Sequence, residues 1–275
     1  MRKPILIFVT LSLAISLACQ ALAPTPTATS TPSSTPTSAP TSTPTPEVTA
    51  SLDCARTVHA VDELQPTDIP DHLIETAEKR GDEFDVNAYF DVLTHISMQE
   101  GYALDYAFYS DFLGSAPVLY ARPVDREPYK SASDVPAGTE PEEYLDHLAI
   151  QDAEPGYFEA VVLKIMGNQF YLFWHANYND LQIVCDPETV DAIVKDINDG
   201  DFGMKFNSDQ MSQVRRMTNI EPTVKLTADS VIVEVIVFTK WGGFFKQTYT
   251  ISRSFPHTIE MDEENLVEYD CGIMF

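Results

Sequence analysis

The chain has 275 residues, and its charges are distributed unevenly. Arg2 and Lys3 are the only charged residues before Glu47, so the segment 47–275 holds 42 carboxylates against 15 Lys and Arg, a net charge of −27. This acidic balance excludes a nucleic-acid partner held by phosphate neutralisation, and it argues against adhesion to an anionic membrane surface through basic patches. With 44% hydrophobic residues, 15 Phe and 12 Tyr, the chain can bury a core.

Residues 1–18 have the pattern of an export signal. A short cationic start precedes an uncharged apolar run of 14 residues from Ile5 to Ala18. This length suits the apolar region of a secretory signal and falls short of the roughly 20 residues that span a hydrocarbon core. We therefore predict that the chain is exported across a membrane.

The apolar run ends at Ser16-Leu17-Ala18-Cys19, which resembles the lipobox of bacterial lipoproteins, with Leu17 and Ser16 exchanged relative to the commonest order. The resemblance covers residues 1–19. It implies lipid modification of the Cys19 sulfur, cleavage before Cys19 and acylation of the new amino terminus. At about 0.8 kcal/mol per buried methylene, two or three acyl chains would hold the protein on a bilayer essentially permanently. Gln20 is not an acidic retention signal, which implies outer-membrane or outer-surface display in an envelope with two membranes.

Two other fates of the leader remain open. An ordinary signal peptidase could cut after Ala23, although Pro24 would then follow the scissile bond and make a poor substrate. An uncleaved anchor over residues 5–23 is the other alternative. In each case the protein would face the outside of the cytoplasm.

Residues 24–46 consist only of 7 Pro, 9 Thr, 5 Ser and 2 Ala. Such a segment lacks apolar periodicity and favours extended polyproline conformations, which reach roughly 70 Å at about 3.1 Å per residue. We expect residues 19–50 to form a disordered tether between the lipidated Cys19 and a folded part. That part, residues 51–275, suits a single globular domain or two lobes meeting near residues 200–220.

The folded part begins with predicted helices over residues 71–80 and from Asp85 onward. Alternation typical of strands follows over residues 102–110 and 118–122, and a short helix is predicted after Thr139. The first half of the folded part therefore mixes short helices with strands.

A hairpin is predicted in the centre of the chain, where apolar segments 157–166 and 169–177 flank Gly167-Asn168. One face of this hairpin would belong to the core. The other would combine aromatic and polar side chains into a platform for a sugar or another flat ligand. The residues of this candidate ligand face are Lys164, Tyr171, Phe173, His175 and Asn177. The alternative is that a helix covers this face and that its aromatic rings are core.

The C-terminal part is predicted to continue with a strand over residues 181–185, a helix beginning at Asp186-Pro187 and a second helix over residues 208–217. A hairpin of strands 230–240 and 244–253 surrounds Gly242-Gly243, and two last strands, 257–261 and 266–271, flank an acidic turn. The predicted fold class is α+β, with a mainly antiparallel sheet built from sequential hairpins and about five short helices.

Three cysteines remain after Cys19, so at most one disulfide can form within the folded part. Export to an oxidising compartment favours a disulfide over free thiols. Cys185 and Cys271 both lie at predicted strand ends, so we predict that they are paired, while the two pairings that involve Cys54 remain open.

The sequence contains no Gly-x-Ser-x-Gly, no Gly-rich phosphate loop, no His-Glu-x-x-His and no Cys-x-x-Cys. Acidic residues around Gly200 suggest a calcium site, but the EF-hand register would place Lys195 at the first ligand position. We therefore assign no catalytic residue, no metal and no cofactor.

The prediction for function is a membrane-anchored, surface-displayed lipoprotein of the cell envelope that binds rather than catalyses. Its partners would be the lipid bilayer, through acylated Cys19, and an unidentified protein or glycan, with a monomeric domain and no nucleic acid. The alternative is an extracytoplasmic hydrolase acting on a polymer such as a glycan or peptide, with a carboxylate pair or a His and Asp in a deep cleft. A calcium-stabilised module is a third hypothesis.

Overall fold

The computed structural model describes residues 52–111, 114–174, 180–201 and 203–272. The predicted signal, lipidation site and tether lie outside these residues. Val48–Phe275 forms one compact unit. No helix in the described part of the chain has both the length and the apolar character needed to cross a membrane.

The structure confirms the α+β class, and the strand pairs it describes are antiparallel. In chain order the elements are α1 (Cys54–Leu64), α2 (Asp71–Thr76), α3 (Tyr89–Val92), β1 (Ile96–Met98), β2 (Tyr102–Ser110), β3 (Gly114–Pro123), β4 (Leu148–Ile150), α4 (Glu154–Met166), β5 (Phe173–Trp174), β6 (Gln182–Val184), α5 (Pro187–Asp199), α6 (Ser208–Val214), β7 (Thr223–Leu226), β8 (Ser230–Thr239), β9 (Gly243–Ser252) and β10 (Ile259–Glu268). Short 3₁₀ turns lie at Val86–Ala88, Ala132–Asp134 and Glu143–His147.

The largest sheet has the order β10-β9-β8-β6, and β7 also pairs with β8. Strand β7 pairs with the first half of β8 and β6 with its second half, so both lie on the edge of β8 opposite β9. Alternate residues of β8 enter two different cores, one containing Val233 and Val235 and the other Ile236 and Phe238. Strand β8 is therefore central in the sheet and covered on both faces.

The predicted central hairpin is wrong, because Glu154–Met166 forms helix α4 instead. Pro155 lies in the first turn of the helix, where its missing amide hydrogen costs nothing. Ten of the 13 residues are buried. A helix that is buried on nearly every side has no polar stripe, so its sequence reads as a continuous apolar run that periodicity cannot distinguish from a buried strand.

Several boundaries also differ from the predictions. Helix α1 is not predicted from the sequence, and the predicted acidic turn at residues 262–265 lies inside the continuous edge strand β10. The strand predicted over residues 181–185 is β6, which covers Gln182–Val184 and pairs with β8. The helix predicted over residues 71–80 ends at Thr76, where Ala77 adopts a left-handed backbone with φ of 54°.

Two features predicted from short-range sequence signals, a helix cap and a hairpin turn, are present in the structure. Asp186 caps α5, since its carboxylate accepts a hydrogen bond from the Thr189 amide at 2.7 Å. The β8–β9 hairpin forms around Gly242-Gly243, with Thr239 paired to Gly243. At Gly243, φ is 95°, and an added Cβ would meet the Val267 carbonyl oxygen at 2.0 Å, so only glycine fits there.

Two smaller sheets complete the fold: β1 with β4, and β2-β3-β5. Strand β2 and helices α1 and α4 contribute to the first core, whereas α5 and α6 contribute to the second. The candidate functional site lies beside β2 and β3, where these strands meet the segment after α2.

Candidate functional site

A cavity of about 480 Å³ is formed by the segment 79–87, by Leu104–Tyr106 of β2, by Arg122 of β3 and by the loop 127–130. Its volume falls within the roughly 300 to 1,000 Å³ that is common for small-molecule sites. Charged side chains make up half of its sixteen lining residues. The cavity therefore combines a ligand-sized volume with a high density of charge.

Asp105 lies at the centre of the cavity wall and is only 5% exposed. Its Oδ1 accepts hydrogen bonds from Lys79 Nζ at 2.7 Å and from the Tyr106 amide at 2.8 Å. Its Oδ2 accepts from Arg122 Nε at 2.8 Å and from the Tyr129 amide at 2.9 Å. The carboxylate thus accepts four hydrogen bonds, and these compensate for the cost of burying its charge. The carboxylate in turn orients the two cations.

The strand register explains how Asp105 meets Arg122. In the β2–β3 ladder, Asp105 lies opposite Tyr120 and Ala103 lies opposite Arg122. Asp105 and Arg122 are therefore diagonal neighbours, which long side chains can bridge. Lys79 lies outside the sheet, in the segment that follows α2. The Lys79 amide donates a hydrogen bond to the Lys130 carbonyl at 2.7 Å.

The Lys79 ammonium is buried in an environment that disfavours its charge. Its side chain is 9% exposed, and Nζ lies 3.9 Å from the centroid of the Tyr106 ring. Burial lowers the pKa of Lys79 below its ordinary value, and the attraction and hydrogen bond of Asp105 oppose this only in part. A buried lysine with a perturbed pKa in a cavity is a candidate for ligand contact.

Tyr106 adds an unsatisfied donor beside this lysine. The residue is 2% exposed, and its hydroxyl has no hydrogen-bond partner among the described residues. Its ring packs edge-on against Phe170, with centroids 5.0 Å apart. Burial raises the pKa of Tyr106, so the hydroxyl keeps its proton and can donate. A buried unpaired hydroxyl costs about 1 to 3 kcal/mol, which makes it a functional candidate.

Glu83 is the second buried carboxylate of the cavity. It accepts hydrogen bonds from the Arg80 amide at 2.6 Å, from the Gly81 amide at 2.8 Å and from His72 Nε2 at 2.5 Å. Burial by itself would raise the pKa of Glu83, but these hydrogen bonds to the ionised form lower it. Glu83 therefore stays ionised.

His72, Asp82 and Glu83 also place three potential metal-ligand atoms within 4.8 Å of one another. Glu83 Oε1 already accepts two hydrogen bonds, and Asp82 is exposed. We interpret the group as a structural hydrogen-bond cluster and assign no metal to it.

The predicted ligand face does not form as one surface of a hairpin. Lys164 lies on helix α4, and its Nζ contacts Glu142 Oε2 at 2.7 Å. Tyr171 is buried, and its hydroxyl accepts from the Phe84 amide at 3.1 Å. Phe173 lies on β5 and is 46% exposed. His175 and Asn177 lie outside the described residues.

The predicted disulfide is also corrected. Cys54 is bonded to Cys185, with Cα atoms 5.5 Å apart, while Cys271 is buried and free. Cys54 and Cys185 belong to the first core, whereas Cys271 belongs to the second. The main sheet separates the two cores, so Cys185 and Cys271 do not meet, although both follow strands.

The cavity residues were not singled out from the sequence. One signal was available, since Asp105 is a lone carboxylate inside the alternating segment 102–110, and a buried charge requires a partner. Its partners Lys79 and Arg122 lie 26 and 17 residues away, and no local pattern connects them.

Comparisons with family models, with curated proteins and with solved structures found no match for this chain. The geometry of the cavity is therefore the main structural basis for a functional proposal.

Proposed function

We propose that this protein is a lipid-anchored, extracytoplasmic binding protein whose folded domain takes up a small ligand in the cavity beside Lys79 and Tyr106. One observation carries the proposal: at a cavity of ligand size, a buried ammonium lies over the ring of Tyr106, whose buried hydroxyl has no hydrogen-bond partner among the described residues. Both groups are costly to bury, and a ligand that supplies acceptors would relieve that cost.

The anchor rests on the sequence. Residues 1–18 serve as the signal, Cys19 carries the lipid, and the Pro- and Thr-rich segment after it holds the domain away from the bilayer. A binding domain displayed in this way would meet ligands from the surroundings of the cell.

The cavity lining supports binding over hydrolysis. The described lining residues include no Ser, Thr, Cys or His that could act as a nucleophile or a histidine base. Asp105 is held by four donors, and the pKa of Glu83 is lowered, so neither buried carboxylate is suited to act as a general acid.

The binding proposal can be tested with the mature protein in mild detergent. Small saccharides, peptides and organic acids would be screened by thermal unfolding, and each hit would be recovered and analysed by mass spectrometry. Binding with full recovery of the intact compound is expected. Turnover of any hit would instead establish the hydrolase, and a screen without hits would contradict the proposed cavity function.

The anchor is tested separately. Mass spectrometry of the mature protein should show an acylated N-terminal Cys19, and the Cys19→Ala variant should leave the membrane fraction. A mature start at Pro24, or an intact Met1, would contradict lipidation.

A further inference from the structure

The chemical nature of the lining groups narrows the class of ligand, if the cavity binds one as proposed above. The cavity holds four of the 15 cationic residues found after residue 46, namely Lys79, Arg80, Arg122 and Lys130. The lining has as many carboxylates as cations, so its formal charge is zero, whereas the segment as a whole has a net charge of −27, and the cavity therefore repels an anion less than the rest of the domain does.

Four carboxylates also line the cavity, but protein donors already occupy three of them. Asp105 accepts four hydrogen bonds and Glu83 accepts three. Asp85 Oδ1 accepts from the backbone and side-chain nitrogens of Asn87. These three carboxylates are therefore already hydrogen-bonded to the protein.

Donors, in contrast, remain available. The Lys79 ammonium has three N–H groups, and within the described chain Asp105 Oδ1 is its hydrogen-bond acceptor. The Tyr106 hydroxyl has no hydrogen-bond acceptor among the described residues. A complementary ligand therefore brings an anionic acceptor for Lys79 and a neutral oxygen acceptor for Tyr106.

The other lining residues indicate which kind of ligand would carry those acceptors. Half of the lining residues are charged, which does not suit an acyl chain, while the half-buried ring of Phe84 offers apolar surface. A molecule with many hydroxyl groups on a ring that has apolar faces matches this combination. A carboxylate fits better than a phosphate, because Arg122 already uses Nε for Asp105 and Nη1 for the carbonyls of Pro123 and Arg126.

We infer that the cavity binds an acidic sugar, with the sugar carboxylate against the Lys79 ammonium and a hydroxyl or ring oxygen accepting from Tyr106. The inference rests on the proposed binding function and adds the class of ligand to it.

Calorimetric titration of the full mature protein in detergent tests this inference. Glucuronate and galacturonate are compared with glucose, galactose, inorganic phosphate and hexanoate. The acidic sugars should bind at least tenfold more tightly than the neutral sugars, since loss of one charge-assisted hydrogen bond is worth roughly ten- to a hundredfold in affinity. Phosphate and hexanoate should bind more weakly than the acidic sugars.

The Tyr106→Phe variant separates a ligand role from a structural one. Removing an unpaired buried hydroxyl should leave the free protein at least as stable as the wild type, yet it should weaken acidic-sugar binding by roughly three- to tenfold. Lys79→Arg, which keeps the charge on a different shape, should also weaken binding. Lys195→Met, which removes an exposed lysine outside the cavity, is the matched control and should change nothing.

Different failures have different meanings. Equal binding of acidic and neutral sugars, or preferential binding of phosphate or hexanoate, would overturn the acidic-sugar inference and leave a binding cavity in place. Wild-type affinity in Tyr106→Phe would also overturn it. If neither this panel nor the wider screen gives a ligand, the proposed function fails with it.

Discussion

The disulfide between Cys54 and Cys185 joins the first turn of α1 to the end of β6 across 131 residues of sequence. Cys54 is the third described residue of the folded part, so the bond lies where the predicted tether would enter the domain. Helix α1 is thereby held on the first core by a covalent bond as well as by packing.

Replacing both cysteines by alanine should lower the free energy of unfolding by about 2 to 5 kcal/mol, because the open chain regains the entropy of a long loop. Urea denaturation followed by fluorescence would measure the change. Adding a reductant to the wild type should reproduce the loss, and adding it to the double variant should have no effect. A double variant as stable as the oxidised wild type would contradict this expectation.

The pairing itself should be visible in the pattern of thiols. Proteolysis without reduction should give a peptide pair linked through Cys54 and Cys185, with Cys271 unlinked. Cys271 is buried, so it should react with a thiol reagent only after the domain unfolds. A peptide pair linked through Cys185 and Cys271 would instead restore the pairing predicted from the sequence.

Loss of the central carboxylate should destabilise the domain strongly. Asp105→Ala leaves Lys79 and Arg122 buried without their shared anion, and breaking a buried ion pair in this way costs about 3 to 5 kcal/mol. The control is Asp199→Ala, which removes an exposed partner of Lys195 and should cost less than about 0.5 kcal/mol. Similar small losses in both variants would show that Asp105 is not the centre of the cluster.

Gly156 in helix α4 should not tolerate alanine, although alanine is normally the better helix former by about 1 kcal/mol. A Cβ at this position would meet the Gln151 carbonyl oxygen at 2.3 Å. Gly156→Ala should therefore destabilise the protein by about 1 to 3 kcal/mol, measured by urea denaturation. Ser212→Ala at an exposed position of α6 should instead give a small gain, and a gain in both variants would contradict the close contact.

The ion pair of Asp152 and Arg253 should affect stability at acid pH. Hydrogen bonds from Arg253, and then from Tyr157, lower the pKa of Asp152 below its usual value of 3.8. The folded state therefore gains stability from this group above about pH 4 and loses it as the pH falls through the lowered pKa. The effect should be small, because Asp152 is half exposed and water screens the pair.

Melting temperatures of the wild type and Asp152→Asn, followed from pH 7 to pH 2, would check this sign. The wild type should melt higher at pH 7, and the difference should shrink in acid. A difference independent of pH would show that the Asp152 carboxylate does not act through its charge.

Several elements follow from short-range signals. Strand β2 has the predicted bounds 102–110, Asp186 caps α5, and the two glycines produce the β8–β9 hairpin. Each of these rests on alternation, capping or turn chemistry within a few residues, which the tertiary environment reinforces rather than opposes.

Helix α4 and the cavity show where such signals fail. The apolar run of α4 is compatible with either a buried helix or a strand, and only its surroundings select the helix. Gln65, Glu142 and His95, which contact side chains or carbonyls of α4, come from three distant segments. The correct disulfide was missed for a related reason, since it depends on which core each cysteine enters.

The amino-acid sequence by itself determined the acidic charge, the Pro-, Thr- and Ser-rich composition of residues 24–46 and the α+β class, because composition and local periodicity carry these properties, and the proposed lipid anchor also rests on the sequence alone. Only the tertiary structure decided that α4 is a helix, that Cys54 pairs with Cys185 and that Lys79 meets Asp105 and Tyr106. Burial and long-range packing bring together groups that are far apart in the chain. The free energy that favours one partner over another depends on burying both groups, which only the folded structure does.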